Sequence, residues 1–265
     1  MNFRTRPPEV AVPHRGRVPG ATGPVLGRAL KVLEAFSPDR PALRLSEVAR
    51  RTGLPATTAH RLLREFCEWG ALERDETGVY RVGLRLWELG SLAPRGLGLR
   101  ELALPFLEDL SQITRENVQL AVREGTEVVY IERIAGTGAV PVLTRVGGRF
   151  ALTATGVGLV LLAHAPAEVQ EDVLGRPIDR YTSETVTDPD RVRHLLADVR
   201  THGFSISERQ VTLDAVSVGA PIHDARGRVV AAVSLVVRYG SVSPHALAPL
   251  VMTSARAISR ALSIL

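Results

Sequence analysis

Apolar residues recur every three or four positions at the start of the patterned part of the chain, which is the spacing of an amphipathic helix. Leu26, Leu30, Leu33 and Phe36 form the first such stripe, and Ser37-Pro38 follows it directly. Proline cannot continue a helix, because it lacks an amide hydrogen and its ring clashes with the preceding turn. The pattern therefore predicts a first helix that ends just before Pro38.

Two more helices are predicted in quick succession. The second begins at Leu45, where Ser46 is expected to cap the free amide groups, and it ends at Gly53, which permits a sharp turn. Pro55 occupies the first-turn position of the third helix, which ends at Gly70. The apolar stripe of this third helix consists of Ala59, Leu62, Leu63 and Phe66.

The opposite face of the third helix is polar and cationic. It presents Thr57, Thr58, Arg61 and Arg64. Hydroxyl and guanidinium groups can form hydrogen bonds with base edges and phosphates in a DNA groove. This composition is typical of a recognition helix.

A β-hairpin is predicted after Gly70. Residues 71–74 and 79–82 flank the segment Asp75-Glu76-Thr77-Gly78, in which Thr77-Gly78 supplies the turn. Three helices followed by a hairpin make a winged helix-turn-helix, which we assign to residues 25–83. Residues 84–92 then predict a short helix, and residues 94–98 have the composition of a linker. We place the linker helix and break at residues 84–98, and a second domain at residues 99–265.

The second domain alternates strand and helix patterns. Helices are predicted at residues 99–114, 156–163, 189–202 and 244–265. Strands are predicted at residues 118–122, 128–134, 140–144, 204–207, 216–221 and 229–237, with Asp224 and Gly227 in a turn between the last two. This order predicts an α+β domain with a mainly antiparallel sheet.

Charge is distributed unevenly along the 265 residues. The chain has a net charge of +5, and residues 1–98 hold 16 Arg and Lys against 10 Asp and Glu, so the basic excess is N-terminal. Such asymmetry indicates a polyanionic partner for the first domain. Residues 1–24 are rich in proline, glycine and arginine, and we expect a disordered basic arm there, either a dispensable tail or a weak phosphate contact.

Several classes of protein are disfavoured by the composition. No run of about 18 apolar residues is present, and no apolar segment follows the first arginines, so we expect a cytoplasmic protein without a membrane span. Cys67 is the single cysteine, which excludes an internal disulfide. The histidines lack metal-ligand spacing and no nucleotide-binding glycine motif is present, so we expect no metal, no cofactor and no enzymatic activity.

Four segments resemble the IclR family of bacterial transcription regulators. They are residues 45–63, beginning Leu-Ser-Glu-Val-Ala-Arg-Arg-Thr-Gly-Leu-Pro; Tyr80-Arg81-Val82-Gly83, with Leu89-Gly90 after it; residues 149–163, which contain Leu152-Thr153-Ala154-Thr155-Gly156; and Gly219-Ala220-Pro221-Ile222. The resemblance implies a GAF-like effector-binding domain, winged helices that pair into a homodimer or a dimer of dimers, and a double-stranded DNA operator as partner. A cytoplasmic location at the bacterial nucleoid follows from that partner.

The resemblance and the residue types together yield two sets of candidate site residues. The candidate DNA contacts are Ser46, Pro55, Thr57, Thr58, His60, Arg61, Arg64 and Arg81. The candidate effector contacts are Ala154, Thr155, Gly156, Val157, Glu208, Ser217 and Ser234. A helix that begins at Gly156 offers unpaired amides and the positive end of its dipole to an anion. Alternatively, Gly156 and Gly158 only permit close packing.

We therefore expect a sequence-specific DNA-binding regulator, preferably a repressor, whose operator binding responds to a small organic acid or aromatic metabolite. The alternative is an interaction adaptor that uses its winged helix for dimerisation alone. The polar face of the third helix argues against that alternative, because a pairing surface should be apolar.

Overall fold

The computed structural model describes residues 24–93 and 95–264, and these fall into two compact units that divide between Leu97 and Gly98. The arm expected at residues 1–24 lies outside the described residues except for Pro24. Within the described ranges, no helix is both long and apolar enough to cross a membrane.

The first unit is a winged helix-turn-helix. Its helices are α1 (Val25–Glu34), α2 (Leu45–Thr52), α3 (Ala56–Trp69) and α4 (Leu84–Ser91), and its strands are β1 (Ala42–Arg44), β2 (Leu72–Arg74) and β3 (Val79–Val82). The three strands form an antiparallel sheet in the order β1-β3-β2. The short strand β1 was not predicted, because three residues are too few to show an alternating pattern.

The predicted apolar stripe of α3 lies in the core of this unit. The stripe predicted for α1 is wrong in part, because Leu26 and Leu30 are exposed to solvent. Val32 of α1, Leu62 and Leu63 of α3, and Tyr80 of β3 are all buried together. The predicted hairpin is confirmed, with Gly78 in the left-handed conformation at a φ of 79°. Glycine adopts this conformation without the steric penalty that other residues meet.

The predicted cap of α2 is wrong. The helix begins at Leu45, so Arg44 is its N-cap residue and Ser46 lies inside the first turn. The carboxylate of Glu47 accepts a hydrogen bond from the amide of Arg44 at 2.8 Å. A glutamate three residues into the helix can satisfy the backbone in this way, which leaves the hydroxyl of Ser46 exposed and available for other contacts.

The second unit is an α+β domain. Its helices are α5 (Leu97–Thr114), α6 (Gly156–Ala163), α7 (Ala167–Leu174), α8 (Pro189–His202) and α9 (Pro244–Leu262). Its strands are β4 (Asn117–Glu124), β5 (Glu127–Ile134), β6 (Arg149–Ala151), β7 (Ser205–Glu208), β8 (Ala215–His223) and β9 (Val229–Arg238). They form one antiparallel sheet in the order β6-β5-β4-β9-β8-β7.

Both faces of this sheet are covered by helices. Helices α5 and α9 pack on one face, where Leu107 and Val251 meet the inward residues of β4, β8 and β9. Helices α6 and α8 pack on the other face, where Leu159 and Leu196 contact a second cluster that includes Tyr130. Burial on both faces explains why β9 is almost continuously apolar instead of alternating.

The strand predicted at residues 140–144 is wrong, because these residues form an irregular loop. Pro141, the second residue of this segment, has no backbone donor, which disfavours a paired strand. Side chains of β4 hold the loop instead: Asn117 donates to the carbonyl of Val140 at 2.7 Å, and Gln119 donates to the hydroxyl of Thr144. The unpredicted strand β6 takes the place beside β5.

Candidate functional site

The polar face of α3 is exposed to solvent. Thr57, His60, Arg61 and Arg64 are exposed, and Thr58 is half-buried. This face points to solvent because Ala59, Leu62 and Leu63 on the opposite side of the helix are buried in the core. Pro55 precedes the first turn and is exposed beside it. The structure thus brings six of the eight candidate DNA contacts to α3 and its N-terminus.

Both arginines of this face have a carboxylate one turn away. Arg61 Nη1 lies 2.7 Å from Glu65 Oε1, and Arg64 Nε lies 3.4 Å from Glu68 Oε1. All four side chains are largely exposed, so water and salt screen these pairs strongly. Such pairs are weak enough for a phosphate or a base edge to replace the carboxylate.

The hairpin of β2 and β3, which is the wing of the fold, contains another candidate DNA contact, Arg81. Its guanidinium lies 2.6 Å from Asp75 Oδ2, and Asp75 also accepts hydrogen bonds from the hydroxyl and the amide of Thr77. The bonds from Thr77 and Arg81 hold the pKa of the Asp75 carboxyl well below its usual range. Arg44 donates to the carbonyl of Thr77 at 2.9 Å, so strand β1 supports the same turn.

The second unit contains a cavity that opens to solvent. Strands β4, β5, β7, β8 and β9 and the loops around residues 142–144 and 210–212 border it. Its lining residues are Gln119, Tyr130, Val142, Leu143, Thr144, Ala154, Thr155, Ser207, Gln210, Val211, Thr212, Ala215, Ser217 and Val236. Apolar walls with a few polar groups are typical of small-molecule binding sites.

Tight backbone packing shapes the wall of the cavity at the start of α6. The hydroxyls of Ser205 and Ser207 each donate at 2.7 Å to backbone carbonyls, those of Gly156 and Ala154 respectively. The N-cap Thr155 accepts a hydrogen bond from the amide of Gly158 at 3.0 Å. These bonds fix the first turn of α6 against β7.

The glycines of α6 are required by close contacts. A Cβ on Gly156 would lie 2.5 Å from Ser217 Oγ, and a Cβ on Gly158 would lie 2.5 Å from the carbonyl oxygen of Leu152. Close packing alone therefore accounts for both glycines. It is compatible with ligand binding, because Ser217 and Thr155 beside them line the cavity.

Three of the seven candidate effector contacts line the cavity, namely Ala154, Thr155 and Ser217. Gly156 and Val157 are buried in the first turn of α6 behind this wall. The remaining two lie elsewhere: Ser234 is fully buried and lies 3.4 Å from Gln119 Oε1, and Glu208 is exposed at the end of β7.

Several polar lining residues were missed from the sequence. Gln119 and Gln210 are both almost fully buried at the cavity. Gln119 interrupts the apolar run from Val118 to Val122 in strand β4, and a polar amide within such a run is a signal that could have been found. Tyr130 gave no such signal, because an aromatic residue in a strand is usually core. Burial raises the pKa of its phenol, which is therefore neutral and able to donate a hydrogen bond.

Two family profiles match the chain. The helix-turn-helix domain of IclR matches residues 25–76, and the C-terminal domain of the bacterial transcriptional regulator IclR matches residues 93–263. The chain belongs to the IclR family of transcriptional regulators.

Individual relatives agree with this assignment. The transcriptional regulator KipR of Bacillus subtilis is 32% identical over 197 residues, which cover 74% of this chain and 79% of KipR. The transcriptional repressor IclR of Escherichia coli is 29% identical over 83% of this chain and 85% of its own length. An IclR homolog from Microbacterium hydrocarbonoxydans, solved in complex with 4-hydroxybenzoate, has 40% identity and a TM-score of 0.85, and the match covers 90% of this chain and 99% of that one.

Proposed function

We propose that this IclR-family regulator represses transcription by binding a pseudo-palindromic operator, and that a small effector in the cavity of the second unit changes its affinity for DNA. In this proposal α3 enters the major groove and the wing contacts phosphates. The exposed, cationic face of α3 is the observation that supports DNA binding most directly. Residues 25–83 are the DNA-binding domain, residues 84–98 the linker and residues 99–265 the effector domain.

We propose that Arg61 recognises the operator sequence. It lies in the second turn of α3, close to the helix N-terminus that reads base edges in helix-turn-helix proteins. A guanidinium can donate two hydrogen bonds to one guanine, which discriminates against other bases. Thr57, Thr58, His60 and Arg64 complete the proposed contact face. Ser46, Pro55 and Arg81 are proposed to contact the DNA backbone.

The test compares Arg61→Ala with Arg176→Ala. Arg176 makes a similar exposed pair with Asp172 one turn away, but it lies in the second unit. Operator fragments are first selected from the chromosomal DNA around the protein's own gene, and binding is then followed by fluorescence anisotropy at several salt concentrations. We expect Arg61→Ala to weaken operator binding about 10- to 100-fold and Arg176→Ala to leave it unchanged. Equal binding by both variants would contradict the assignment.

A homodimer is proposed from a separate surface of the first unit. Helices α1, α3 and α4 border an apolar groove that includes Leu33 and Trp69, and Leu26 and Trp87 are 70% and 62% exposed on α1 and α4. Large exposed apolar side chains indicate an interaction surface. Because this surface is distinct from the polar face of α3, pairing and DNA binding can occur together, which favours the regulator over the adaptor.

Sedimentation of Trp87→Glu tests the dimer. We expect this variant to shift towards monomer, because pairing would bury an unpaired carboxylate. The matched control is Ile113→Glu, which also places a charge on an exposed apolar position but lies on α5 in the second unit. A dimer that tolerates Trp87→Glu would contradict the proposed surface.

The effector is proposed to bind in the cavity of the second unit. The homolog from Microbacterium hydrocarbonoxydans was solved with 4-hydroxybenzoate, and the cavity here has the mixed apolar and polar walls that are typical of small-molecule sites. We propose no enzymatic role for it. Ligand-dependent loss of operator affinity would support this proposal, whereas a ligand that binds without changing operator affinity or oligomeric state would contradict it.

A further inference from the structure

We propose that Glu65 and Glu68 of α3 determine how strictly the recognition helix selects its operator. Each glutamate holds an arginine in an ion pair that is compatible with a neutral base edge but opposes contact with a phosphate. The two glutamates thereby lower the affinity for DNA of the wrong sequence more than the affinity for the operator. This inference rests on the proposed function of α3, and neither glutamate is among the predicted DNA contacts.

Both glutamates lie on the exposed face of α3. Residues four positions apart lie one turn apart on the same side of a helix, so Glu65 follows Arg61 and Glu68 follows Arg64. The side chains of Glu65 and Glu68 are 49% and 67% exposed, and those of the two arginines are 47% and 64% exposed. The arginines of this face are thus balanced by an equal number of carboxylates.

Helix stability does not explain this arrangement. In an ion pair between positions i and i+4, the acidic residue is better placed before the basic one, and here both arginines come first. Glu68 also lies in the last turn of α3, which ends at Trp69, where a negative charge is opposed by the helix dipole. Exposed pairs of this kind contribute little to stability in any order. The two glutamates therefore do little to hold α3 together.

The glutamates also differ from the carboxylate of the wing. Asp75 accepts hydrogen bonds from the amides of Thr77 and Val79 and so fixes the turn of the hairpin. Within the described part of the chain, Glu65 and Glu68 have no hydrogen bond or ion pair except the contact with the arginine one turn before. They fix no turn, cap or neighbouring element, so their effect is on the arginines.

The two kinds of DNA contact open to these arginines differ in charge. The edge of a guanine offers the neutral acceptors O6 and N7, whereas a phosphate is an anion. A guanidinium has five N–H donors, so Arg61 can keep its 2.7 Å contact with Glu65 and still donate to a guanine. The carboxylate then restricts the orientation of the guanidinium in advance, which favours the paired hydrogen bonds to the base.

A phosphate that binds the same arginine meets the carboxylate. If the ion pair persists, two anions share one guanidinium, and if it breaks, the carboxylate is left beside the phosphate. In both cases the negative groups lie within the Debye length of about 8 Å at physiological salt, so they repel each other. Phosphate contacts supply essentially all of the non-specific affinity. The repulsion therefore lowers binding to the wrong sequence most, and a cost imposed on wrong partners raises specificity.

The experiment measures binding of the full-length protein to two duplexes of equal length and base composition. One is the operator fragment selected by the wild-type protein, and the other has the same bases in scrambled order. Fluorescence anisotropy at several salt concentrations gives both affinities and their salt dependence. We expect Glu65→Gln and Glu68→Gln each to bind the scrambled duplex about 3- to 10-fold more tightly, with operator affinity changed less than about 2-fold. The salt dependence of scrambled-duplex binding should steepen by about one unit of log–log slope per freed arginine.

Two controls separate the ion pair from net charge. Asp172→Asn makes the same change of charge in an exposed pair with Arg176, but in the second unit, and it should leave both affinities unchanged. The double variant Arg61→Ala/Glu65→Gln is compared with Arg61→Ala alone. Without Arg61, replacement of Glu65 should strengthen scrambled-duplex binding less than it does in the wild-type background. An equal gain in both backgrounds would overturn the proposal, because the gain would then come from net charge alone.

Glu65 also borders the apolar groove of the proposed dimer surface, so sedimentation of each variant is compared with that of the wild type. If Glu65→Gln alters pairing, Glu68→Gln decides, since Glu68 is a described residue outside the lining of that groove.

Unchanged binding to the scrambled duplex would refute the proposal. If operator affinity fell at the same time, the glutamate would instead read a base directly, such as a cytosine, whose amino group donates to a carboxylate. A wild-type protein that selects no operator would refute the proposed function. Normal operator selection, with the wild-type specificity ratio kept in both glutamine variants, would refute only this inference.

Discussion

Replacement of Gly158 by alanine should destabilise the effector domain, although alanine is the better helix former. In an open helix the change would stabilise by about 1 kcal/mol. Here the added methyl group would lie 2.5 Å from the carbonyl oxygen of Leu152 and 2.6 Å from Thr155 Oγ1. The first neighbour is backbone and the second is the hydroxyl that caps the helix, so the turn must shift.

The magnitude follows from competing contributions. Overpacking costs about 1–3 kcal/mol, and displacement of the Thr155 cap, which now bonds the amide of Gly158, costs about 1 kcal/mol more. After the helix-propensity gain is subtracted, Gly158→Ala should lose about 1–3 kcal/mol. For a domain of this size that corresponds to a drop of roughly 3–10 °C in Tm.

Far-UV circular dichroism during thermal unfolding measures this effect. Gly98→Ala is the control, because it makes the same change within helix α5 where nothing lies within 4 Å of the new methyl group. Both tryptophans, Trp69 and Trp87, lie in the first unit, so their fluorescence reports on the domain that should not change. A Tm for Gly158→Ala equal to or above that of Gly98→Ala would refute the reasoning.

Two further predictions concern ion pairs. The pKa of Asp75 is lowered in the folded wing, so the contribution of this carboxylate to stability is complete above the ordinary value of 3.8 and is lost as pH falls below it. The Tm difference between wild type and Asp75→Asn should therefore shrink from pH 7 to pH 3. A constant difference would contradict this prediction. Arg100→Ala leaves the carboxylate of Glu132, 9% exposed and 2.6 Å from Arg100 Nε, without its partner. Urea denaturation should show a loss of about 1–3 kcal/mol, against less than about 0.5 kcal/mol for the exposed Arg176→Ala.

Short-range patterns were enough to predict much of the fold. The recognition helix was predicted because its apolar and polar residues follow helical spacing over fourteen residues. The apolar stripe includes Leu62 and Leu63. The turn of the hairpin, just before Val79, was predicted because Gly78 can adopt the left-handed conformation that the turn needs. The loop at residues 140–144 was mistaken for a strand, since its composition does not show that side chains from β4 hold it.

Amphipathic periodicity, turn residues and the family motif are local properties, so the sequence by itself determined the winged helix, the α+β class of the second unit and the exposed cations of α3. The cavity depends on long-range contacts instead. Gln119, Tyr130, Gln210 and Ser217 come from separate strands and loops, and only the register of the six-stranded sheet brings them to one wall. Only the tertiary structure shows that Glu208, a predicted effector contact, does not line the cavity. Side chains alternate between the faces of a strand, and Glu208 at the end of β7 is exposed to solvent.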